Sequence, residues 1–290
     1  MTQRFGRVLA WVFVAVVLLV TVFPFFWIVR TALSNNFALA THPSSLLPVD
    51  FTLGPFKRVL GLATLSEAQA EGGSGASLDV LLYLRNSVIY AAGLTAVVVF
   101  CSAAGAYAFA RLRWRGRNAL FSILLCALMI PTVFTMLPNF VLVKDLGLTN
   151  SFAGLVAPNA LFFAFALFFL RQFMLGLPTE IEEAAIVDGA GHFRILFRII
   201  LPMSSGPLTT LSLLMFIVAW NDYFWPLLVT SKKSVQPLTL ALGVFKQSSP
   251  NTAPDWAGLM AATLVAAVPM LALFVVFGRR IGRASCRERV

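Results

Sequence analysis

The sequence predicts an all-helical, polytopic membrane protein with six transmembrane helices, and three observations support this fold class. Hydrophobic residues make up 59% of the 290 residues and charged residues only 12%, about half the charged share of ordinary soluble domains. Six mostly apolar stretches have about the 20 residues that cross the hydrocarbon core of a bilayer, and Asp222 is the only charged residue within them. They cover residues 8–29, 87–110, 119–137, 152–170, 208–228 and 256–277. These features exclude soluble globular and disordered proteins.

The first stretch, residues 8–29, is interpreted as a retained span. Arg4 and Arg7 precede it, and the segment 38–40 (Ala-Leu-Ala) resembles a signal-peptidase site, but the apolar run is longer than the 7–15 residues of a signal-peptide core. A proline- and glycine-containing segment follows and is predicted to be a mobile extracytoplasmic connection. We therefore divide the chain into residues 1–85 (first span and long loop), 86–278 (core transmembrane domain) and 279–290 (a basic tail).

The basic residues predict the orientation of the spans. If the N-terminus lies inside, the inner connections and termini carry 14 of the 22 Lys and Arg residues, although they are shorter than the outer connections. Basic residues collect in segments that stay in the cytoplasm. Both termini of this multi-pass protein are therefore predicted to be cytoplasmic.

The connection between the fourth and fifth stretches holds the densest acidic cluster in the chain. Thr179 and Glu182 have the spacing of a capping box, so a helix should begin at Glu180, and Gly189 and Gly191 should end it. Such a short helix needs packing to be stable. A second amphipathic segment, residues 193–201, follows before Pro202. From the pattern alone, the connection is either a knob that docks on a cytoplasmic partner or an amphipathic connector on the lipid surface.

The spacing of residues in this connection resembles the signature loop of the membrane subunits of binding-protein-dependent, ATP-driven importers. Glu183-Ala184-Ala185, Gly189, Ile199 and Leu201-Pro202 occupy the fixed positions of that loop. Residues 84–87, 107–111, 169–173 and 220–227 are similar to the carbohydrate-uptake branch, and above all to the maltose-type second permease subunit. The resemblance covers about residues 86–277, whereas residues 281–290 depart from the family's usual tail.

This resemblance implies the fold of a type I ABC importer permease, with a coupling loop at about residues 178–202 that contacts the ATPase subunits. The candidate coupling residues are Glu180, Glu182, Glu183, Ala184, Ala185, Asp188, Gly189, Ala190 and Phe193. The implied partners are a second permease subunit, two ATP-binding cassette subunits that bind ATP-Mg, an extracytoplasmic solute-binding protein and membrane lipid, but not nucleic acid. No cofactor is expected in this chain itself.

Two further candidate sites lie near the fifth stretch. Trp220, Asn221, Asp222 and Tyr223 form either an interfacial aromatic belt or part of the translocation path or outer gate, where aromatic faces and an amide suit sugars. The loop that follows carries Lys232, Lys233 and Lys246, and it is either a docking surface for the binding protein or a solvated loop.

Other functional classes lack their chemistry in this sequence. There is no Gly-rich phosphate loop for an ATPase, and one acidic residue in the spans is a poor basis for an ion-coupled carrier. His42 and His192 do not form a catalytic constellation, and no channel filter motif occurs. The predicted function is a non-enzymatic permease subunit of an ATP-driven carbohydrate importer of the maltose or oligosaccharide type, in the bacterial inner membrane. The alternative is the same architecture for another solute, such as glycerol phosphate or a polyol.

Overall fold

A computed structural model describes residues 2–73, 78–160, 163–247 and 254–286, with side chains except those of residues 2–5, 8, 244–247 and 277–286. These ranges contain helices and connections but no strand. The helices are α1 (Thr2–Ala32), α2 (Asn36–Thr41), α3 (Gly54–Val59), α4 (Leu65–Ala70), α5 (Val80–Arg111), α6 (Arg117–Ala127), α7 (Thr132–Asp145), α8 (Phe152–Ala160), α9 (Ala164–Leu175), α10 (Glu180–Val187), α11 (His192–Ile195), α12 (Leu201–Met203), α13 (Ser205–Trp220), α14 (Phe224–Val229), α15 (Leu238–Gln247) and α16 (Trp256–Cys286). A π-helical turn, Leu196–Ile200, joins α11 to α12.

Among the described residues, three helices are long and apolar enough to cross a membrane: Leu9–Ala32, Val80–Arg111 and Trp256–Val276. Three bent helix pairs bring the number to as many as six if each pair counts as one span. Most apolar side chains of α1 are exposed, as expected for a helix that faces lipid. The all-helical fold class is thereby confirmed.

Three of the six predicted spans fall on bent helix pairs rather than on single straight helices; one is the stretch 152–170, where α8 and α9 meet at 51°. The stretch 119–137 is divided into α6 and α7, which meet at 101°, and Pro131 stands immediately before α7. The stretch 208–228 ends early because Asn221 closes α13, and the apolar helix pair here is formed by residues 192–203 and 205–220, which meet at 80°. Prolines and capping residues stop helices even where hydropathy continues.

One compact unit comprises residues 1–82 and 241–269. Its long loop contains α2, α3 and α4, and a buried arginine connects the loop to the start of α16. Arg58 places its Nη1 2.6 Å from Glu71 Oε2 and its Nη2 3.2 Å from Asp255 Oδ1. The Thr52 hydroxyl donates to Glu71 at 2.8 Å. The expected mobile connection is thus partly wrong, because residues up to 73 are folded by polar contacts; residues 74–77 lie outside the described ranges.

A capping box that the sequence analysis did not identify begins α4. The Thr64 hydroxyl accepts from the Glu67 N–H, while the Glu67 carboxylate accepts from the Thr64 N–H at 2.8 Å. These hydrogen bonds to Thr64 lower the pKa of Glu67 below its ordinary value. The loop therefore carries its own local helix signals.

The other unit comprises residues 83–240 and 270–290. Its core is formed by side chains from α5, α8, α9, the segment 192–203 and α13. The largest fully buried members are Tyr90, Leu155, Leu170, Met174, Ile195, Ile200 and Leu211. Contacts thus group residues 241–269 with the N-terminal loop. The functional division into residues 1–85, 86–278 and 279–290 stays a prediction. This second unit carries most of the candidate site residues.

Candidate functional site

The predicted loop helix is present as α10, and it begins at Glu180 as the sequence indicated. Gly189, with φ +77°, ends it in the arrangement typical of a glycine C-cap. Its N–H donates to Ile186 O at 3.0 Å, and the Ala190 N–H donates to Ala185 O at 2.9 Å. These two bonds form a Schellman motif. Gly191, in contrast, was wrongly predicted to end this helix, because it is the extended N-cap of α11.

The predicted capping box at Thr179 is also wrong. Thr179 adopts a helical conformation and makes no side-chain cap. The Glu182 side chain is instead buried and accepts a 2.8 Å hydrogen bond from the Tyr107 hydroxyl. Arg111 places its Nε 3.6 Å from the other carboxylate oxygen of Glu182. A charged hydrogen bond in a dry environment is stronger than an exposed cap, so the tertiary contact prevails.

Arg111 also closes the end of α9. Its Nη2 donates at 2.7 Å to Met174 O in the last turn of α9 and at 2.6 Å to Leu177 O just after the helix. One buried guanidinium therefore connects α5, α9 and α10. The sequence indicated Tyr107 and Arg111 only as part of a segment similar to the carbohydrate-uptake branch, although their i, i+4 spacing places them on one helix face.

The remaining candidate coupling residues lie on two surfaces of the loop. Glu180, Glu183, Ala184, Asp188 and Gly189 are exposed, whereas Ala185 and Ala190 are half-buried and pack against the core. Large apolar side chains stand beside the exposed residues: Val187 is 86% exposed and Phe193 is 81% exposed. The loop thus has one face fixed to the helices and an opposite apolar and acidic face without a partner within the described residues.

Replacement of Glu182 by Gln tests this attachment. The substitution keeps the shape but removes the charge that faces Arg111, and a hydrogen bond to a charged group contributes about 1.5–3 kcal/mol. We expect amide hydrogen exchange in residues 180–190 to become faster by about tenfold or more. Glu183→Gln is the matched control, because Glu183 is exposed on the same helix. Equal exchange in both variants would contradict the attachment.

The aromatic segment after α13 is also held by a buried tyrosine. Asp222 accepts a 2.8 Å hydrogen bond from the Tyr90 hydroxyl and a 3.4 Å bond from the Trp225 N–H. Trp220 is buried, Asn221 is exposed, and Tyr223 is half-buried. The Asp222 carboxylate therefore joins the start of α14 to α5, a contact that the sequence did not reveal because Tyr90 is 132 residues away.

Two asparagines fix the loop that carries the candidate lysines. The Asn150 side-chain oxygen accepts from the Lys232 N–H at 2.9 Å. The Asn86 amide donates to Lys233 O at 3.1 Å and to Gln236 O at 3.0 Å. The side chains of Lys232 and Lys233 are exposed, while the side chain of Lys246 lies outside the described residues. The sequence analysis did not identify Asn150 or Asn86 as anchors.

Comparison with known families then decides the class of protein. Residues 101–284 match the family described as "Binding-protein-dependent transport system inner membrane component". The chain belongs to this family. It is therefore a multi-pass membrane permease component, as the signature loop indicated, and the matched region includes α10, α9 and the C-terminal part of α5 that carries Tyr107 and Arg111.

Relatives of known description agree with this assignment. The chain is 30% identical to the sn-glycerol-3-phosphate transport system permease protein UgpE of Agrobacterium fabrum, with 94% of each chain covered. It is 27% identical to the probable ABC transporter permease protein YurM of Bacillus subtilis, over 93% of this chain and 84% of that protein. A solved bacterial ABC transporter involved in import of the acidic polysaccharide alginate has a similar fold, with a TM-score of 0.79 and 23% identity over 96% and 97% of the two chains.

Proposed function

We propose that this chain forms half of the translocation pore of an ATP-driven importer for carbohydrate-type solutes. A second permease subunit would form the other half, two ATP-binding cassette subunits would bind ATP-Mg and supply energy, and an extracytoplasmic binding protein would deliver the solute. The family membership, the relatives named above and the alginate transporter fold support this assembly. The excess of basic residues in the inner connections supports cytoplasmic termini.

The observation that carries the coupling role is the two-faced loop around α10. Glu182 is held between Tyr107 and Arg111, while Val187 and Phe193 are exposed on the other side. A partner that binds the exposed face can move α10, and the buried contacts pass this movement to α5 and α9. Transport then requires two packings of these helices whose equilibrium the ATPase subunits shift.

The solute path and the binding-protein contact are assigned to the other two sites. Trp220, Asn221, Asp222 and Tyr223 would line the path or outer gate, with the Tyr90–Asp222 bond holding the segment in one arrangement. Exposed Lys232 and Lys233, together with Lys246, would contact the binding protein. The rigid backbone of this loop supports that role, because a preorganised surface loses less entropy on binding.

Two solute classes compete, since two lines of observation point to different molecules. The signature segments resemble carbohydrate importers, whereas a relative is described as an sn-glycerol-3-phosphate permease. A maltose-type solute receives no support from the relatives named above. The Asp222 carboxylate favours a neutral sugar or polyol over a phosphate ester, because like charges repel.

Purification of the intact transporter tests the assembly and the solute together. We expect a tagged chain, isolated from membranes in mild detergent, to retain a second permease and two ATPase subunits. Lysine cross-linking should join Lys232 or Lys233 to the binding protein. Uptake assays in cells should show transport of a sugar in preference to sn-glycerol-3-phosphate. Isolation of the chain without an ATPase subunit would contradict the proposed function, and preferential glycerol-phosphate uptake would contradict the solute class.

A further inference from the structure

A basic cavity lies at the turn between α5 and α6, apart from the sites described above. Its volume is about 370 Å³, within the size range of small-ligand sites. The lining consists of Arg113, Trp114, Gly116, Arg117, Asn118 and Ala119. The cavity is therefore lined by cations, an aromatic ring and an amide, without a carboxylate.

Within the part of the chain that the structure describes, the positive charges around this cavity have no acidic partner. Arg113 is exposed, and Arg117 donates to Leu112 O at 3.1 Å. Arg171 lies over the Phe121 ring at 3.9 Å, and its charge repels that of Arg117. Across the described ranges, the ion pairs of arginines involve only Arg58 and Arg111. A bound anion would lower the electrostatic repulsion among cations that have no carboxylate beside them.

The backbone adds donors to the same place. Gly116, with φ +86°, leads into α6, which has 11 residues and no side-chain N-cap. The first N–H groups of a helix have no intrahelical acceptor, and this end of a helix favours negative charge. Together with the arginine side chains, these groups can bind a phosphate.

The surroundings indicate a lipid rather than a free anion. The turn follows directly from the end of α5, so it lies at the level of the lipid headgroups. The Trp114 ring packs against Phe109 at 5.4 Å and its Nε1 donates to Ala108 O at 3.4 Å, which fixes an aromatic residue at the interface. On α6, Leu120 and Ile123 are exposed and offer an apolar surface to acyl chains.

We propose that this cavity binds the phosphate headgroup of an anionic phospholipid. Arg113 and Arg117 contact the phosphate, Trp114 packs against the glycerol region, and the acyl chains follow the apolar side of α6. This assignment does not depend on the transported solute or on coupling to ATPase subunits.

Lipid retention by the assembled transporter tests the proposal. The complex is placed in nanodiscs of phosphatidylcholine with a small fraction of phosphatidylglycerol, and bound phosphatidylglycerol is counted by native mass spectrometry. We expect Arg113→Gln to weaken retention by about tenfold, since a bond to a charged group is lost. Arg115→Gln is the matched control. It removes the same charge from an exposed arginine, but Arg115 does not line the cavity.

Three results would overturn the assignment. Equal loss of lipid in both variants would mean that only overall charge matters. Displacement of phosphatidylglycerol by millimolar inorganic phosphate would show a site for free anions. Retention by the isolated chain but not by the assembled complex would show that a protein subunit covers the cavity. None of these readouts requires transport activity.

Discussion

Gly189→Val is expected to lower solute uptake by about 5- to 30-fold while the amount of protein in the membrane stays unchanged. Gly189 has φ +77°, and a Cβ placed there would meet no atom of the described residues within 4 Å. Within this chain the obstacle is therefore backbone strain, which for an L-residue in this region amounts to about 1–2 kcal/mol, or roughly a 5- to 30-fold change in a local equilibrium. The strain opposes the Schellman bonds that fix the end of α10. Because α10 is proposed to pass the movement of the ATPase subunits to α5 and α9, ATP hydrolysis should continue without uptake.

Gly191→Val provides the matched control for this experiment. Gly191 also has open space around it but an ordinary φ of −75°, so the same substitution two residues away should leave uptake close to normal. Gly189→Asn should retain much of the uptake, because Asn tolerates positive φ. Normal uptake in Gly189→Val, with unchanged hydrogen exchange in residues 185–190, would contradict the role of this turn.

The second large effect concerns the stability of the N-terminal loop. Arg58→Met removes the Arg58 guanidinium from Glu71 and from Asp255, whose side chain is fully buried. Removal of one partner from a buried ion pair typically costs about 3–5 kcal/mol. We expect hydrogen exchange in residues 52–71 to become faster by about a hundredfold or more, together with earlier cleavage of this loop by protease.

Lys57→Met is the control, because Lys57 is the exposed neighbour on the same helix. Adding Asp255→Asn to Arg58→Met should recover part of the loss, since the second change removes the buried charge that Arg58 faces in the wild type but keeps an oxygen for the Gly258 N–H. This double-mutant cycle separates the ion pair from general damage. Additive losses from the two substitutions would rule out the proposed pairing.

Where the sequence analysis succeeded, the signal was local. Hydropathy located the apolar segments, and Gly189 marked the end of α10 because few other residues accept its backbone conformation. Where it failed, residues distant in sequence bound the side chain that the local pattern required. The Thr-x-x-Glu spacing forms a capping box at Thr64 but not at Thr179, where Tyr107 and Arg111 take the carboxylate.

The sequence by itself determined the membrane class, the apolar segments and the position of the candidate coupling loop, because these depend on composition and on short-range backbone preferences. Only the tertiary structure decided which partners the buried charges have. Glu182 meets Tyr107 across 75 residues, and Arg58 meets Asp255 across 197 residues. A charge removed from water must find an opposite charge or a hydrogen-bond donor wherever the fold supplies one, and chain order does not reveal that location.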